Sequence, residues 1–174
     1  MRGTLSWAPL ADRLDLLAEP VRVPGLRLSG VEVAPIDPEL ADTAAFCERY
    51  GSPMESSANC VVVAGRRGEK ISYAAVMVLA TARADVNGVI RKRLDARKCS
   101  FAPMDEACRL TGMEYGGITP IGVPADWPVL VDPQVLAAGT VIVGSGVRAS
   151  KLLLPAAQLL ELPHAEELDL TIRP

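Results

Sequence analysis

The chain has 174 residues, 49% hydrophobic and 22% charged, an ordinary globular mix that supports a single domain and argues against disorder over most of its length. Glycine and proline number 14 each, more punctuation than a helical bundle or coiled coil tolerates. The net charge of −3 disfavours a domain that grips nucleic acid by bulk phosphate neutralisation, and 4% aromatic content argues against modules that read single strands with several exposed rings.

In chain order, residues 1–29 read as an N-terminal arm, with a short amphipathic helix over Trp7–Leu17 that Pro20 and Pro24 end. The domain proper then spans 30–174. Val31–Pro35 alternates apolar and polar, as a half-buried strand does. Asp37 followed by Pro38 and Glu39 predicts a capped helix running to Tyr50, closed by Gly51. Cys60–Ala64 and Ile71–Ala82 flank the charged turn Arg66–Lys70 and predict a hairpin. Ile90–Leu94 is a basic, helical segment, and Met104–Leu110 a short helix with acids in its first turn. Val129–Val131, Thr140–Val143 and Lys151–Leu154 read as strands, and Pro155–Leu162 as a last helix. Strands and short helices interleave without a regular βαβ rhythm, which predicts a compact α+β domain around a mixed, curved, barrel-like sheet.

Four cysteines, Cys47, Cys60, Cys99 and Cys108, lack CxxC spacing and accompany a single histidine, His164. That set argues against a zinc site and against Ser/His/Asp or Cys/His catalysis, and the thiols read as small buried hydrophobes of a reducing compartment. No signal peptide or membrane-length apolar run is visible. A cytoplasmic protein without metal or organic cofactor is expected.

Three segments carry candidate chemistry. Thr111–Gly122 holds four glycines and a proline in twelve residues. Such a segment is either a long structural turn or a cradle of peptide N–H groups for an anion or oxyanion. Val143–Ala149 formally fits the dinucleotide fingerprint, but Pro155 interrupts the helix the fingerprint requires and too little chain follows. A turn that places Ser145 and neighbouring amides at a pocket rim fits better. Arg91, Lys92, Arg93, Arg97 and Lys98 form a basic cluster with one acid, Asp95, among them. It is either a solvated helix face or a phosphate-facing patch.

Taken in order, several anchors resemble the YbaK/ProX family of aminoacyl-tRNA deacylases, related to the editing domain inserted in bacterial prolyl-tRNA synthetases. They are the strand Asn59–Val63, Tyr73–Leu79 leading to Ala84-Asp85, Arg97-Lys98 before the Met104 helix, Val131-Asp132 and the Gly144–Arg148 turn. The most specific is Thr111-Gly112 followed by Gly116-Gly117-Ile118-Thr119-Pro120-Ile121-Gly122. The resemblance runs from about Pro38 to Leu162. It implies a pocket for the aminoacyl end of a mischarged tRNA and hydrolysis of the ester joining a small amino acid to the terminal ribose. Discrimination by one methylene is worth only about 1–3 kcal/mol, which is why synthetases need such a second sieve.

By this resemblance Gly116, Gly117, Ile118 and Thr119 supply oxyanion donors, with Asn59 positioning the ester. Pro120, Gly122, Gly144, Ser145, Gly146 and Arg148 line the substrate site, and Arg91, Lys92, Arg93, Arg97 and Lys98 meet tRNA phosphates. A synthetase is a further expected partner, and a membrane is not. The chain departs from the family at Asn59, where a lysine is usual, and at Lys151, where an acid is common. Either Lys151 enters the pocket and replaces the missing charge, or it is solvated. Without the family lysine, the alternative function is a non-catalytic module that binds aminoacyl-tRNA, amino acid or synthetase.

Overall fold

The structure, a computed structural model, describes residues 2–172. Fourteen elements follow in order: β1 (Ala8–Pro9), α1 (Glu19–Leu26), β2 (Glu32–Pro35), α2 (Thr43–Tyr50), β3 (Ala58–Arg67), β4 (Lys70–Leu79), α3 (Arg91–Arg93), β5 (Lys98–Phe101), α4 (Met104–Thr111), β6 (Val129–Val131), α5 (Pro133–Ala137), β7 (Thr140–Gly144), β8 (Ser150–Pro155) and β9 (Ala165–Glu167). Short 3-10 turns fill several of the gaps, and a π-helical turn over Val86–Ile90 leads into α3. No helix among the described residues is long and apolar enough to cross a membrane.

The α+β class holds, but the single barrel-like sheet does not form. The strands divide between a four-stranded sheet, in the order β1-β2-β8-β7, and a five-stranded sheet, in the order β5-β3-β4-β6-β9. The first is antiparallel throughout, whereas β6 pairs in parallel with both β4 and β9. An isolated bridge from Ser57 to Ile142 links the two near the start of β3.

Burial explains the layering. In β4, Ala75 and Met77 face a core shared with Val141, Val143, Leu152 and Leu154 of the other sheet. The intervening Ala74, Val76 and Val78 face a second cluster with Val86, Ile90 and Leu170. Leu153 and Ile142 likewise turn away from the shared core toward Phe46 and Cys47 of α2. With side chains alternating along each strand, both faces of both sheets have apolar cover. With both layers largely covered on either face, closing into one barrel would bury little further apolar surface.

The hairpin is as expected, with β3 and β4 paired antiparallel over their full lengths. Residues near the N-terminus differ from expectation. Ala8–Pro9 pairs with β2, two 3-10 turns follow, and the helix begins only at Glu19. Pro20 opens α1 rather than ending a helix, because a first-turn residue needs no amide hydrogen. Leu10, Leu17, Ala18 and Val21 join the shared core. The helix expected over Asp37–Tyr50 is broken. Asp37 caps a 3-10 turn at Pro38–Leu40, and α2 starts afresh at Thr43. The last expected helix is 3-10, over Ala156–Glu161.

Pro24 has no amide hydrogen to give the Pro20 carbonyl one turn back, and Gly122 backs onto that carbonyl instead. Gly122 has φ +90°, and a Cβ there would collide with the Pro20 oxygen. Gly122→Ala is therefore expected to cost about 2 kcal/mol or more, a Tm loss of about 4–8 °C by calorimetry.

Candidate active site

The break before α2 and the end of β7 open onto one cavity. It has a volume of about 240 Å³, and its lining includes Ala41, Thr43 and Phe46 from the α2 side and Asn59 and Cys60 from β3. Tyr115, Gly116 and Ile118 come from the glycine-rich loop, and Gly144 and Lys151 from the paired ends of β7 and β8. The volume falls below the roughly 300–1,000 Å³ of sites for drug-sized ligands, so a small group fits it.

Lys151 dominates the electrostatics. It is 7% exposed. Its ammonium donates to the Ala41 carbonyl at 2.8 Å and lies 5.5 Å from the Phe46 ring centroid. Burial pulls its pKa down from 10.5 to about 8; nearby Asp42 and Cys47 oppose the shift and Arg148 adds to it. Asp42 itself is mostly exposed, at the mouth. Asn59 is oriented by Thr43, whose hydroxyl donates to its Oδ1 at 2.8 Å. That bond leaves the carboxamide N–H groups without a partner among the described residues. Burial pushes the Cys60 thiol up to about 12, which keeps it protonated.

The glycine loop divides its amides. Gly117 N–H donates to the Glu114 carbonyl at 3.0 Å, and Thr119 N–H to the Met113 sulfur at 3.5 Å. The amides of Gly116 and Ile118 have no partner among the described residues, and both residues line the cavity. Of the expected donors, therefore, Gly116 and Ile118 keep amides unpaired among the described residues, and those of Gly117 and Thr119 serve the loop's own fold. Gly144 must lack a side chain, since a Cβ would run into the Gly117 and Ile118 carbonyls.

The remaining expected residues lie outside this lining. Ser145 is buried behind it, with its hydroxyl 3.1 Å from the Ser150 carbonyl and 2.7 Å from the Ser150 hydroxyl. Gly146 donates to the Gly117 carbonyl at 2.7 Å. Arg148 ties the rim together: its side chain donates to the carbonyls of Pro38 (3.0 Å) and Tyr115 (3.2 Å), and its amide to Glu114 Oε2 (2.8 Å). Thr119 is fully buried with an unpaired hydroxyl, and Pro120 and Gly122 pack inward. The basic cluster sits beyond the far end of β3. Lys98 pairs with Arg66, seven residues from Asn59, or roughly 23 Å along a strand.

Ala41, Thr43, Phe46 and Tyr115 were not legible as site residues. Tyr115 lay inside the glycine segment, whereas the others carry no local signal, because only the broken helix brings them here. Among the described residues no three His, Cys, Asp or Glu side chains gather as a metal site would require.

The model of aminoacyl-tRNA editing domains matches residues 37–162, and the chain belongs to that family. Membership supports a role in aminoacyl-tRNA editing and agrees with the resemblance carried by the glycine signature. Among solved structures, 97% of the chain superposes on all of a candidate trans-editing enzyme for prolyl-tRNA synthetase, at TM-score 0.74 and 20% identity. A protein described only as hypothetical matches 79% of the chain over 86% of its own, at TM-score 0.68 and 21% identity. A candidate signal-transduction protein from Marinobacter aquaeolei matches 95% of the chain over 31% of its own length, at TM-score 0.57 and 17% identity. At such identities the likeness is one of fold.

Between pH about 8 and 10.5 the unfolded chain holds a proton on Lys151 that the folded chain has released, so native stability rises with pH through that window. Lys151→Met removes the buried charge. Thermal melts are expected to place this variant at or above the wild type at pH 7, with the difference moving toward the wild type as pH rises through about 8 to 10.

Proposed function

We infer that the chain is a trans-acting editing deacylase that hydrolyses the ester of a mischarged tRNA carrying a small amino acid. The observation that carries this reading is a buried ammonium, Lys151, in one small cavity with the free amides of Gly116 and Ile118. In this reading the ester carbonyl oxygen lies against these amides, where negative charge develops as water attacks the carbonyl carbon. Fixed donors stabilise that charge without reorganising. Lys151 supplies the positive charge that Asn59 lacks, and the Asn59 carboxamide, held by Thr43, donates to the substrate. The carbon–oxygen bond to the ribose then breaks, and the ribose hydroxyl leaves with a proton. Free amino acid and free tRNA are released.

The one carboxylate in the lining, Asp42, is mostly exposed at the mouth, so in this reading the substrate's own groups orient the water. The cavity's size favours small side chains over large ones. A cytoplasmic setting and association with a synthetase complete the proposal. Arg91, Lys92, Arg97 and Lys98 remain proposed phosphate contacts, and Arg93 is already paired with Glu166 at 2.6 Å.

The test is deacylation of a panel of mischarged tRNAs, including alanyl- and cysteinyl-tRNA(Pro), by purified protein. Turnover of at least one is expected. Lys151→Met should lower that rate by about 10²–10³-fold, the usual loss for one oxyanion donor. Binding of the panel without turnover of any member would instead support the alternative of a binding module.

The ammonium exists below about pH 8 and is lost above it. The enzyme-dependent rate, corrected for spontaneous ester hydrolysis, is therefore expected to fall as pH rises beyond about 8. A rate that climbs steadily to pH 10 would remove Lys151 from the reaction.

A further inference from the structure

We propose that a trough beside the cavity, walled by Phe101, Met104 and Tyr115 and continued by the basic end of β5, is a track for the unpaired 3′ end of an RNA. This rests on the deacylase reading for the cavity and adds how the nucleic acid reaches it.

The trough has a volume of about 360 Å³. Its three walls are among the most exposed large apolar side chains of the chain: Phe101 is 59% exposed, Met104 55% and Tyr115 55%. Single exposed apolar residues are ordinary; here three line one hollow. The floor includes Cys60, Val61 and Ile118, which with Tyr115 also line the cavity. The two hollows thus share lining residues and lie side by side.

The other end of the track is cationic. Strand β5 is the outer strand of its sheet, and from Phe101 it leads back to Lys98, paired with Arg66. Lys98 lies three steps from Phe101, roughly 10 Å, and alternation puts the two side chains on opposite faces of this outer strand, so the track crosses its open edge. There a second depression of about 560 Å³ is lined by Arg66, Arg91, Arg97 and Lys98. The neighbouring cations are already used: Arg67 is paired with Asp95 and Arg93 with Glu166. Arg66, Arg91, Arg97 and Lys98 have no carboxylate at ion-pair distance among the described residues. Unneutralised cations at one end and exposed rings at the other match a single strand, whose phosphates meet the first and whose bases stack on the second. An apolar peptide would leave the cations unused, and a duplex would keep its base faces from the rings. The arrangement reads no particular sequence, because every base has a face to stack.

The test is fluorescence anisotropy with a short, labelled, single-stranded RNA ending in an unacylated CCA, titrated into the full chain. Phe101→Ala is expected to weaken binding about ten-fold or more. Lys98→Glu with Arg97→Glu is expected to weaken it further and to lower the slope of log K against log salt by about 1.4. Both sites are at the surface, and matching thermal melts confirm that each variant is folded. Failure of the wild type to bind, equal affinity of the variants, or equal affinity for the same RNA in a blunt duplex would each overturn the track. Hydrolysis of an aminoacyl-adenosine by the wild type reports on the cavity separately. If that ester survives, the deacylase reading fails, while the anisotropy result still decides the track.

Discussion

The backbone of residues 114–117 lies directly against that of 144–147, with no side chain between them. Gly146 gives its amide to the Gly117 carbonyl and its carbonyl to the Glu114 amide, so the two segments are stitched together in both directions. Gly144 and Gly117 each lack the Cβ that would push the opposite backbone away. Everything at the site follows from this approach. It brings Gly116 and Ile118 to the end of β7, beside Lys151 on β8, and turns Ser145 inward. Arg148 then locks the outer side of the loop to the Pro38 carbonyl at the approach to α2. Glycine here is needed for space more than for flexibility.

The second constraint is the buried ammonium. A lysine almost never lies inside a protein unpaired, and among the described residues Lys151 meets one carbonyl and one aromatic face directly. The carbonyl is that of Ala41, available because the helix expected over Asp37–Tyr50 breaks there. The break supplies the lysine's acceptor and places the Thr43 hydroxyl to orient Asn59. A charge kept in low dielectric is costly for stability and strong toward a substrate dipole. That combination is typical of sites where function outweighs folding.

The legible parts of the fold were those with a period. The apolar runs of β3 and β4 and the charged turn between them predict a hairpin, and the hairpin forms in full. The acid-started helix at Met104 forms with a glycine cap at Gly112. Short elements escaped: β5 and β9 have too few residues to show alternation, and they are strands only through their pairing with β3 and β6. Near the N-terminus the prolines misled. Pro20 reads equally as a stop and as a start, and packing of Val21 into the core selects the start.

By itself the sequence determined the class of the fold and the family. Each of these is written in local residue type: glycines where chains must touch, apolar alternation where a strand is buried, a proline beside a cap. Tertiary structure alone decided which peptide amides are left unpaired among the described residues and that the strands form two layers. It also decided that Lys151 points inward and that Phe101, Met104 and Tyr115 stand together. These depend on hydrogen-bond partners and neighbours far along the chain, such as Gly146 for Gly117 and Ala41 for Lys151. Long-range pairing of that kind leaves no periodic trace, because either partner would look the same in a chain where the other had gone elsewhere.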